Sequence, residues 1–139
     1  MTNPRRARSF ILWFYAVALV QTASAAPHTP KPNSKERKAI MDAMRREVGR
    51  GHEKEIVFIA EHLKVENGWA YFAGGFRYAD GTQPSADYGW GNLSALLRFD
   101  GKTWRLKHYV HNTDVIEPEF IEMFPQAPKA IFDRNWTQR

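Results

Sequence analysis

Apolar residues alternate with polar ones through Val57, Ile59, Leu63 and Val65, pause at Asn67-Gly68, and return as the dense run Trp69, Ala70, Tyr71 and Phe72. This pattern predicts a β-hairpin from Ile56 to Phe76 with one buried face. Asn-Gly sets the turn, because the favoured two-residue hairpin loop needs positive φ at both central positions. A second hairpin follows. Leu93 to Phe99 reads as a strand, Asp100-Gly101 as a turn, and Thr103 to Val110 as a strand with Trp104, Leu106, His108 and Val110 on one face and Arg105, Lys107 and Tyr109 on the other. Two hairpins in series predict a four-stranded antiparallel meander.

Before the sheet the period changes from two to 3.6. Ala39, Ile40, Ala43, Met44 and Val48 recur on one helical face, and Asn33 with Glu36 three residues on has the form of a capping box. The helix is expected from about Ser34 to Val48, stopped by Gly49 and Gly51. Its outer face carries Lys35, Arg37, Lys38, Arg45, Arg46 and Arg50 with Asp42 and Glu47 between them, the pattern of a solvated face. After the sheet, Glu117-Pro118 opens a short helix whose apolar side is Phe120, Ile121 and Phe124, and Pro125 ends it. Ile131 and Phe132 then return to the core. The fold class is therefore α+β: an N-terminal amphipathic helix packed on a four-stranded antiparallel meander, with a short C-terminal helix. Trp69, Phe72, Leu96, Trp104 and Leu106 are the expected core.

The segment joining the hairpins, Arg77 to Gly91, holds three glycines, one proline and the aromatics Tyr78, Tyr88 and Trp90. It reads as a long loop, and long loops in compact domains often carry function.

The chain begins differently. Arg5, Arg6 and Arg8 precede an apolar run of eleven residues, Phe10 to Val20, and Ala23-Ser24-Ala25 supplies small residues for cleavage. This is the form of a secretory signal peptide, and the run is shorter than the ~20 residues that span a bilayer as a helix. The organisation expected is a signal peptide at 1–25, an extended Pro-rich leader at 26–33, one domain at 34–132 and a loose C-terminal tail at 133–139. The protein is expected to be exported, periplasmic or secreted, with no stable membrane anchor after cleavage.

Cleavage changes the charge argument. The whole chain has 20 basic and 15 acidic side chains, and residues 1–25 hold three Arg and no acid, which leaves 17 against 15. No nucleic-acid partner is expected of so mild a surplus. The chain has no cysteine, so thiol catalysis, thiolate metal sites and disulfides are excluded.

The order Glu36-Arg-Lys-Ala-Ile-Met-Asp-Ala-Met-Arg, Leu63-Lys-Val-Glu-Asn-Gly-Trp-Ala-Tyr-Phe, Trp104 in its strand, Thr113-Asp114-Val115 and Pro128-Lys-Ala-Ile-Phe resembles a family of small exported bacterial proteins of uncharacterised function. The resemblance covers nearly all of the chain after residue 25 and brings no activity with it. The helix-then-meander outline is similar to cystatin-like and nuclear-transport-factor-like folds, a likeness of topology alone.

Chemistry is sparse. No His-Glu-x-x-His pattern, Gly-x-Ser-x-Gly elbow or phosphate loop is present, and no metal or cofactor is expected. The best acid–base pair is His108 on the inward face with Asp114 beyond it, the composition of a small pocket enzyme or ligand binder. The other candidates are Tyr78, Tyr88 and Trp90, aromatics set among glycines and polar groups that could contact a protein, peptide or glycan of the cell envelope. The leading expectation is an envelope-associated binding or accessory protein using the 77–91 loop. An inhibitor or immunity-type protein using the same loop is a further alternative.

Overall fold

A computed structural model describes residues 26–111 and 117–134. The expected signal peptide, Asp114 and residues 135–139 lie outside the described residues. The order of elements is helix α1 (Lys35–Val48), strands β1 (Ile56–Glu66), β2 (Trp69–Tyr78), β3 (Asn92–Phe99) and β4 (Trp104–Val110), and helix α2 (Glu117–Met123). The four strands form one antiparallel sheet in the order β1-β2-β3-β4. This is the α+β fold read from the sequence.

Ser34, rather than Asn33, caps α1: its side chain accepts a hydrogen bond from the Arg37 backbone N–H at 3.2 Å. Asn33 instead turns the chain with φ 63°, a conformation Asn tolerates better than most residues. Glu36 makes no capping box and reaches His28, 2.8 Å away. The Pro-rich segment before α1 is extended and docked on the sheet, where His28 and Val65 exchange backbone hydrogen bonds of 2.9 and 2.8 Å. Ile40, Ala43, Met44 and Val48 face the sheet and are buried, while Ala39 lies outside that stripe and is exposed.

The sheet is covered on both faces, not on one. Against α1 lie Leu63, Val65, Phe72, Phe76, Leu97 and Trp104. Against α2 and the 3₁₀ turn Lys129–Phe132 lie Trp69, Tyr71, Ala73 and Leu96 with Phe120, Ile131 and Phe132. The central strands are therefore buried at consecutive positions, Trp69 to Ala73 and Leu93 to Leu97. This is why they read as unbroken apolar runs instead of alternations.

Two one-residue bulges reset the strand faces. In β1, Ala60 pairs with Gly74 and His62 with Ala73, so Glu61 is extra. Ile56, Phe58 and Ala60 before it share the α1 face with Leu63 and Val65 after it, while Ile59 is 49 % exposed. The single alternation from Val57 to Val65 is thus two alternations out of phase. In β4, Leu97 pairs with Leu106 and Leu96 with His108, which leaves Lys107 extra. Trp104 and the half-buried Leu106 face α1, and His108 and Val110 turn to the α2 side. The four do not share a face, because an inserted residue reverses a period-two pattern.

Candidate functional site

The end of β2, the 3₁₀ segment Ala86–Gly91 and the stretch after α1 meet around one group of rings. His52 packs on Tyr88 with centroids 4.4 Å apart, on Phe76 at 5.1 Å and on Tyr78 at 5.7 Å. The Tyr78 hydroxyl and His52 Nδ1 hydrogen-bond at 3.1 Å, and the Tyr88 hydroxyl donates to the Gly51 carbonyl at 3.3 Å. His111 closes the group, 5.5 Å from Tyr88 and from Phe76. Tyr78 and Tyr88 are therefore half-buried members of a cluster, Tyr78 as the last residue of β2.

Trp90 points the other way. Its side chain is 65 % exposed, although its neighbours in the chain are fixed. Both Gly89 and Trp90 are left-handed, Gly89 at φ 55° and Trp90 at φ 56°, and a bulky residue in that region is a strained outlier. The turn is held by Tyr88 and Trp90 backbone N–H groups, each donating to the Ser85 carbonyl at 3.1 Å, and by the Asn92 side-chain amide donating to the Gly89 carbonyl at 2.8 Å. Beneath it, Gly91 lies so close to the sheet that a Cβ there would be 2.4 Å from the Phe76 carbonyl oxygen. The segment is a braced platform with one indole held outward.

The chain matches no protein-family model, no curated protein and no solved structure. The site is accordingly read from its own geometry.

The acid–base candidate is placed differently. His108 lies with its ring edge toward Phe120 at 5.3 Å and near Phe124 at 6.4 Å, on the α2 side. Among the described residues the carboxylate that reaches it is Glu119, with Oε1 4.0 Å from Nε2, too far for a hydrogen bond. The polar group that does assemble on this face was not foreseen. Tyr71 donates its hydroxyl hydrogen bond to Glu117 at 3.0 Å, Arg134 donates to the Tyr71 oxygen at 3.0 Å, and Arg134 also pairs directly with Glu117. His62 donates from Nε2 to the Ile131 carbonyl at 2.7 Å. These bonds tie α2 and the residues after Phe132 to the sheet, and burial raises the Tyr71 pKa. Their partners are far apart in sequence, so no local motif announces them. Among the described residues no group of three His, Asp or Glu side chains could hold a metal ion.

The histidines give a pH prediction. Burial lowers the pKa of His52, His62 and His111; the Ile131 carbonyl partly opposes this at His62 and the Asn92 carbonyl at His111. The fold therefore favours the neutral rings, and above about pH 6.5 they are neutral in the unfolded chain too. As pH falls below that value the unfolded chain takes up protons first, so stability declines until the folded-state pKa values are passed. Urea unfolding at pH 7.5 and 5.0 should show the lower midpoint at pH 5.0, and equal midpoints would contradict the buried neutral rings.

Proposed function

We propose that the protein is an exported binding or accessory module of the cell envelope that docks a macromolecular partner through the surface around Trp90. The observation that carries this reading is the exposed indole held in a strained left-handed turn. Exposure of a large aromatic and retention of backbone strain both cost stability, and such costs concentrate at functional positions. An indole offers a wide, rigid face with few torsions to freeze on binding. Gln83, Ser85 and Asp87 are exposed in the same segment and would supply polar groups for a rim.

A small-pocket enzyme built on His108 and Asp114 has less support, because His108 packs against phenylalanines without a hydrogen-bonded carboxylate among the described residues. Export rests on the signal-peptide pattern of the first 25 residues. Among the described residues no helix is long and apolar enough to cross a membrane.

Trp90→Ala should leave the urea midpoint nearly unchanged, within about 0.5 kcal/mol, because the side chain supports little of the core. It should weaken binding to envelope protein or to purified cell-wall glycan by tenfold or more, as loss of a tryptophan anchor does. Comparing the two pools separates a protein partner, including the target of an inhibitor-type protein, from a glycan. Equal binding by wild type and variant in both would reduce the turn to a lid over the sheet.

A further inference from the structure

A groove of about 650 Å³ runs between α1 and the turns of the two hairpins, a volume in the range of small-molecule sites. Its helix wall is the stripe Lys35, Ala39, Asp42 and Arg46, spaced four, three and four residues apart. At 1.5 Å per residue that stripe is about 16 Å long. Ala39, Val65, Phe99 and Trp104 supply the apolar lining, with Ala39 and Phe99 as its exposed part.

The charges of the lining balance. Glu36, Asp42 and Glu66 stand against the exposed Lys35, Arg46 and Lys102. Glu36 is engaged by His28 at 2.8 Å, and Asp42 by Lys38 at 2.7 Å and Arg45 at 2.8 Å, while Oε2 of Glu66 is buried with no hydrogen-bond partner among the described residues. An anionic head would meet that carboxylate and a cationic head the three exposed cations, so either would give up water without a net countercharge. A hydroxyl carries no such cost. Because it both donates and accepts, it suits a lining that offers ammonium, guanidinium and carboxylate groups together.

We propose that the groove binds an alkyl chain carrying an uncharged, hydroxylated head group. The chain lies on Ala39, Phe99 and Trp104, and the hydroxyls meet the mixed charges of the lining. The site is separate from the Trp90 surface, since none of Tyr78, Tyr88 and Trp90 lines the groove.

The test is a nuclear magnetic resonance titration of the full chain with octyl β-glucoside below its micelle concentration, followed through the Trp104 indole N–H and the Phe99 backbone N–H signals. Both should shift to saturation with one ligand per chain, and the affinity should be the same at low and high salt. Hexyl β-glucoside keeps the head and loses two methylenes, so it should bind about tenfold more weakly. Octanoate and octylammonium keep an alkyl chain but carry a charge, and each should bind about tenfold or more weakly than the octyl glucoside. Ala39→Phe fills the groove from an exposed helix position, so it should abolish binding at an unchanged melting temperature. Lys35→Glu with Lys102→Glu should leave the octyl glucoside affinity within about threefold, since a hydroxyl pairs with either sign, and should strengthen octylammonium. The proposal is overturned if either charged analogue binds wild type as tightly as octyl glucoside, if the hexyl and octyl glucosides bind alike, if the charge reversals remove glucoside binding, or if octyl glucoside shifts neither signal.

Discussion

Gly74→Ala is expected to destabilise the fold by about 3 kcal/mol or more, a large fraction of the stability of an ordinary domain. Gly74 stands in β2 opposite the β1 bulge, paired with Ala60. A Cβ on it would fall 2.1 Å from the Ile59 carbonyl oxygen and 2.9 Å from the Glu61 nitrogen. Both are backbone atoms, so no side chain can swing away to make room. The bulge would have to open, and with it the device that keeps Ile56, Phe58 and Ala60 on the same face as Leu63 and Val65. Urea unfolding should show a much lower midpoint for Gly74→Ala. Gly51→Ala is the control, because an added Cβ there meets nothing within 4 Å, and its midpoint should match wild type. A Gly74→Ala protein as stable as wild type would mean that the two strands do not approach in this register.

Trp104→Ala is expected to cost about 3 to 5 kcal/mol. Trp104 is only 7 % exposed at the start of β4, where it belongs to the core beneath α1 and meets the Phe99 ring at 5.5 Å. Its removal takes a large buried side chain out of the helix–sheet interface. Trp104→Phe keeps most of the volume and should recover a good part of the stability. A melting temperature for Trp104→Ala equal to wild type would show that this indole is not a core residue.

These two positions show different degrees of legibility in the sequence. Trp104 was a core expectation from its alternating strand, and burial agrees, because hydrophobic alternation at the start of a strand depends only on the local pleat. The role of Gly74 was invisible. A bulge is a relation between two strands, and Glu61 and Lys107 look like any exposed charged residue until their partners are paired. For the same reason His108 could not be placed on the correct face. Its companion Asp114 lies outside the described residues. The aromatic segment was recognised by composition, yet composition did not divide Tyr88, which turns in to His52, from Trp90, which stays out. That division depends on Gly91 fitting under the Phe76 carbonyl and on the left-handed backbone of Gly89 and Trp90.

The sequence by itself determined the α+β class and the order of elements, because helix stops, turn dipeptides and hydrophobic periods act over a few residues. It also determined that cysteine chemistry is absent. Only the tertiary structure decided that the sheet is covered on both sides, that two bulges re-aim its side chains, and that Tyr71, Glu117 and Arg134 join across a span of 63 residues. It also decided where the groove between α1 and the turns of both hairpins opens. Each of these depends on contacts between distant segments, which packing, and not local preference, brings together.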